Sequence, residues 1–86
     1  MSHIDIHPRV SQLHPDIKPQ DVYEAVRGMA GYMHRASGEW IGVGFDGQGR
    51  FIELVYIYND EIDSFLAYHA MTPPSAKTLQ ELRMER

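Results

Sequence analysis

The stretch Glu39–Tyr58, EWIGVGFDGQGRFIELVYIY, decides how this 86-residue chain folds. Two runs rich in aromatic and β-branched residues flank the turn-forming cluster Asp46-Gly47-Gln48-Gly49, which is the pattern of a β-hairpin. Taking Asp46–Gly49 as a four-residue loop pairs Phe45 with Arg50, Val43 with Ile52 and Gly42 with Glu53. One face then carries Ile41, Val43, Phe45, Ile52, Leu54 and Tyr56 as core. The other carries Trp40, Gly42, Gly44, Phe51 and Glu53, and its two glycines predict a shallow groove.

Working outward, Tyr32–Ser37 (YMHRAS) reads as a preceding strand. A two-residue loop at Gly38-Glu39 pairs Ser37 with Trp40, Arg35 with Gly42 and His34 with Val43, so Arg35 and Glu53 flank the groove. Downstream, Asn59-Asp60-Glu61 is a turn and Ser64–Met71 (SFLAYHAM) a fourth strand. An even register sets His69 beside Glu53 on the grooved face, with Leu66, Tyr68 and Ala70 facing the core. A slip by one residue reverses this.

Pro8–His14 reads as a short helix or turn, stopped before Pro15. Lys18–Met29 (KPQDVYEAVRGM) is a better helix, with Pro19 in its first turn and an apolar stripe of Val22, Ala25, Val26 and Met29. The segment 73–86, PPSAKTLQELRMER, closes the chain as a proline-opened helix. The expected class is α+β: two N-terminal helices, a four-stranded antiparallel meander and a C-terminal helix. One domain spans 1–86, with the least order expected in 1–13.

The hydrophobic fraction of 43% and charged fraction of 23% suit a folded domain of this size. The absence of cysteine excludes disulfides, thiolate zinc sites and a thiol nucleophile. No apolar run approaches bilayer-spanning length, so the expectation is a cytoplasmic protein without a membrane partner. A net charge of −4 weighs against nucleic-acid binding through a broadly basic surface. The five histidines lack metal-ligand spacing, and GVGFDGQG opens a hairpin rather than a helix. Neither a metal nor a cofactor is expected.

The residues with chemistry are few. His69 is either an acid–base group tuned by Glu53 or a hydrogen-bonded sheet histidine. Arg35 either binds phosphate through its planar fork or pairs with Glu53. Glu53 is a base or the partner of Arg35. Trp40 and Phe51 either stack on bases or pack on a partner or helix. Arg50 borders the hairpin turn as a solvated charge, and Lys77 and Arg83 are helix-surface cations able to meet phosphates.

Three segments together, HPDIKPQDVYEAV, GEWIGVGFDGQGRFIELVYIY and YHAMTPPSAKTLQEL, resemble small bacterial toxins of the BrnT-like kind within the RelE/ParE-type group. The likeness runs from His14 nearly to the end of the chain. It implies a helical layer on an antiparallel sheet whose open face meets RNA, and a translation-inhibiting ribonuclease held inactive by a cognate antitoxin. Basic and aromatic side chains rather than a metal would do the chemistry. The catalytic set is then His69, Arg35 and Glu53, with Arg50, Lys77, Trp40 and Tyr68 binding RNA. One position departs: where such toxins often end this strand Ser-Ala-Arg, the chain has His69-Ala70-Met71. The alternatives are a noncatalytic module taking a partner chain into the glycine-lined groove, and a homodimer joined through Trp40 and Phe51.

Overall fold

The computed structural model describes residues 3–84. In chain order its elements are β1 (His3–Ile6), α1 (Arg9–Leu13), α2 (Pro19–Arg27), β2 (Met29–His34), β3 (Trp40–Phe45), β4 (Phe51–Asn59), β5 (Ser64–Met71) and α3 (Ala76–Glu81). The sheet has five strands in the order β1-β5-β4-β3-β2, and β1 lies parallel to β5. The expected four-stranded antiparallel meander is therefore corrected to a mixed sheet. Residues 3–6 alternate as a strand should, but four residues give a weak local signal. Their partners, Ser64 to Ala67, stand some sixty positions away.

The hairpin registers also differ from expectation. Gly38 takes a left-handed φ of 108° within a longer β2–β3 loop, closed by the Arg35 amide donating to the Glu39 carbonyl at 2.9 Å. His34 rather than Ser37 thus faces Trp40. In the central hairpin Phe45 pairs with Phe51, one residue later than expected. The Asp46 carboxylate causes this by accepting the amides of Gln48 and Arg50 at 2.9 and 2.7 Å, which makes Arg50 part of the turn.

A one-residue slip exchanges faces. Trp40, Gly42 and Gly44 therefore share a face with Ile52, Leu54 and Tyr56, while Ile41, Val43 and Phe45 share the other with Phe51, Glu53 and Val55. The glycine groove is filled from inside. A Cβ on Gly44 would lie 2.0 Å from the Ala25 carbonyl oxygen of α2, and one on Gly42 would lie 2.7 Å from Met29 Sδ. Glycine here lets helix and strand backbones touch, and it leaves no channel for a partner chain. Trp40 and Phe51 point to opposite faces, so the two cannot form one dimer patch.

The main core lies between the sheet and the two N-terminal helices. It joins Val10 and Ile17 to Val22 and Ala25 of α2 and to Ile52, Leu54, Tyr56, Ala67 and Ala70 of the sheet. The helix α2 starts where expected, its Asp21 carboxylate accepting the Lys18 amide at 2.8 Å, but it stops at Arg27 and Met29 opens β2. The helix α3 lies on the opposite face, where its Lys77 and Thr78 share a pocket with the buried Ile41. It is shorter than read from sequence: Ser75 caps it by accepting the Thr78 amide, and Arg83 at φ 56° ends its run. Among the described residues no helix is long and apolar enough to cross a membrane.

Candidate functional site

Glu53 enters the site from near the start of β4, on the face covered by α3. An ionised side chain in an apolar strand needs partners, because an unpaired buried charge is costly. The N-terminus of α3 supplies them: the Ser75 amide and hydroxyl both donate to Glu53 Oε1 at 3.0 Å. The other oxygen, Oε2, lies 2.7 Å from His69 Nε2 on β5.

Pairing explains that last contact. His69 stands opposite Val55, two residues from Glu53 and hence on the same face. Burial pushes the Glu53 carboxyl upward. Hydrogen bonds from Thr78, Ser75 and His69 outweigh it and hold the group below the usual carboxylate range. An ionised carboxylate only accepts, so Nε2 carries a proton, and in the neutral ring Nδ1 has the lone pair. This is the orientation a general base requires.

A register shift between Val55 and Tyr56 leaves Tyr68 without a partner in the β4–β5 ladder. The bulge sends Ala67 and Ala70 into the core and turns Tyr68 to line the same pocket as His69. Tyr68 was expected on the core side; the bulge is the reason it is not. Burial, with the Glu39 carboxylate, pushes its phenol above the ordinary range, so it holds its proton as a donor.

These groups line a pocket of about 380 Å³. Around its rim stand Arg35 from the β2–β3 loop, Lys77 from α3 and Arg9 from α1, with Ser75 and Thr78 beside Glu53. Arg35 is not the partner of Glu53. Its Nε and Nη2 grip Glu81 at 2.7 and 2.8 Å, which fixes the loop to α3, raises Arg35 and holds the Glu81 carboxyl low. Lys77 and Arg9 have no side-chain hydrogen bond or ion pair among the described residues. They are the cations free to meet an anion.

Two expected RNA contacts lie elsewhere. Arg50 is locked at the central hairpin turn, with Nε on Asp46 at 2.7 Å, Nη2 on Asp21 at 3.0 Å and Nη1 on the Asp16 carbonyl at 3.2 Å. It ties the hairpin to the start of α2, a structural clamp rather than the solvated charge expected. Trp40 is on the opposite sheet face, stacked on His34 with centroids 4.3 Å apart, and it lines a separate apolar cavity with Met29, Tyr56 and Phe65.

His69, Glu53, Tyr68, Arg35 and Lys77, all singled out by sequence, thus meet in one pocket. Arg9, Ser75 and Thr78 join them unexpectedly. The Ser75 signal was present, since a serine after Pro73-Pro74 and three residues before Thr78 is a helix cap. Arg9 had no such signal, because its place depends on β1 joining the sheet beside β5. Among the described residues no group of three or more His, Asp or Glu side chains is placed to hold a metal ion. Comparison with family models, with curated proteins and with solved structures finds no match.

Proposed function

We propose that the chain is the toxin half of a type II toxin–antitoxin pair, acting as a metal-independent endoribonuclease on messenger or ribosome-associated RNA. One observation carries the reading: His69, oriented by an ionised Glu53, sits in a pocket ringed by Arg9, Arg35 and Lys77. An imidazole beside several cations suits a reaction that moves a proton while negative charge grows on a phosphate.

In this mechanism Nδ1 of His69 removes the proton of a ribose 2′-hydroxyl, and the resulting oxygen attacks the adjacent phosphorus. Lys77, Arg9 and the Nη1 donors of Arg35 offset charge on the phosphorane, while Tyr68 donates to a non-bridging oxygen. The 5′-oxygen leaves and a 2′,3′-cyclic phosphate remains. The acidic net charge leaves the cations of this pocket to supply the RNA affinity, so the salt dependence of binding is that of the few phosphates they neutralise. A cognate antitoxin that covers the pocket would silence the activity, in a cytoplasmic complex.

Expression in a bacterial host tests the proposal. Growth arrest with cleaved cellular RNA is the expected result, and His69→Ala relieves both. Intact RNA in arrested cells, or arrest undiminished by His69→Ala, rules the mechanism out.

A further inference from the structure

Cleavage through the 2′-hydroxyl needs two proton transfers, one from the nucleophile and one to the leaving 5′-oxygen. His69 serves the first. Glu53 serves neither, because both its oxygens are engaged and it accepts only. Tyr68 reaches the pocket, but a phenol held above its ordinary range is a weak acid near neutral pH.

A second imidazole stands beside the first. His14 follows α1, the helix that also brings Arg9 to the rim, and its backbone amide closes that helix on the Val10 carbonyl at 2.9 Å. Its ring centroid lies 6.2 Å from that of His69, with the planes at 89°. The His14 ring has no hydrogen bond or ion pair among the described residues, and the residue is half-buried, so solvent reaches it. Two rings at that separation can contact opposite sides of one phosphodiester. One of them is turned by a carboxylate and the other is uncommitted.

We infer that His14 is the general acid of the reaction, an inference that rests on the ribonuclease reading. The balanced step is short. His69 Nδ1 takes the 2′-hydroxyl proton as the 2′-oxygen–phosphorus bond forms. The phosphorus–5′-oxygen bond breaks, and protonated His14 gives its proton to the departing oxygen. The products are a 2′,3′-cyclic phosphate and a 5′-hydroxyl, after which solvent restores both rings.

The test compares two substrates of the full chain. The dinucleotide UpA has an alkoxide leaving group that needs a proton; uridine 3′-(4-nitrophenyl phosphate) has one that does not. His14→Ala slows UpA about 10²- to 10⁴-fold, the usual contribution of a general acid, and slows the nitrophenyl ester less than roughly tenfold. His69→Ala slows both. His14→Gln keeps a polar side chain of similar length and gives the same selective loss if only the proton matters. Equal losses on the two substrates, or no loss on UpA in either variant, overturn the role of His14 while the ribonuclease reading stands. A wild-type protein inert on both substrates overturns the two together.

Discussion

Replacing Glu53 by glutamine removes one charge and almost no volume, which makes it the sharpest probe of the site. The Ser75 amide and hydroxyl both need an oxygen acceptor, so the new amide turns its oxygen toward α3. Its NH₂ group then faces His69 Nε2, 2.7 Å away in the wild type, and two donors cannot meet there. The imidazole therefore moves its proton to Nδ1, and the lone pair that served as base is lost. A charge-assisted hydrogen bond contributes about 1.5–3 kcal/mol and a neutral one about 0.5–1.5, so the variant is less stable by about 1–1.5 kcal/mol. For a domain of this size that lowers Tm by roughly 5–10 °C.

The pH dependence has a definite sign. The Glu53 carboxyl is held below its ordinary value of 4.5, so its stabilisation is complete above that pH and is lost as pH falls through the folded value. The stability gap between wild type and Glu53→Gln accordingly narrows on acidification below pH 4.5. Denaturant titrations at neutral and acid pH measure the gap, and nitrogen-15 spectra of the histidine rings report which nitrogen holds the proton. A His69 ring that keeps its proton on Nε2 in the variant, or a gap that does not change with pH, refutes the reasoning.

Gly44→Ala should abolish folding or come close, because its Cβ would meet the α2 backbone at 2.0 Å and neither element can retreat cheaply. The expected cost exceeds about 3 kcal/mol, a large share of the stability of a small domain, and denaturant unfolding measures it. Leu54→Ala, at a fully buried position, should cost about 3–5 kcal/mol in the same assay. Arg50→Gln should lower Tm by freeing the hairpin from α2, while cleavage per folded molecule holds; a selective loss of RNA binding at unchanged Tm would show that Arg50 meets substrate. Lys77→Ala and Arg9→Ala should each weaken binding to a short single-stranded RNA and reduce the salt slope by about 0.7 for each phosphate that the variant no longer neutralises.

How far the sequence led depends on how local each determinant is. The β4–β5 relation between Glu53 and His69 was readable because strand parity survives a two-residue error: the expected direct pairing is offset in the structure, yet both stay on one face. The central hairpin was less forgiving. There a side-chain bond from Asp46 to the Arg50 amide added one residue to the turn and exchanged the two faces of a whole strand. The strand β1 and the placement of Arg9 depend on contacts across most of the chain, which period and turn chemistry do not encode. Arg50 misled for a related reason, since two of its partners, Asp16 and Asp21, lie about thirty residues upstream. The bulge that turns Tyr68 into the pocket has no mark in SFLAYHAM itself.

The central claim is that the His69–Glu53 pair cleaves RNA without a metal, and one measurement reaches it most directly. An oligoribonucleotide is incubated with purified protein in excess chelator, and the product ends are read by mass spectrometry beside the His69→Ala variant. The account predicts 2′,3′-cyclic phosphate and 5′-hydroxyl ends from the wild type, and intact RNA from the variant. Intact RNA with the wild type, 3′-hydroxyl ends, or equal cleavage by His69→Ala would contradict it.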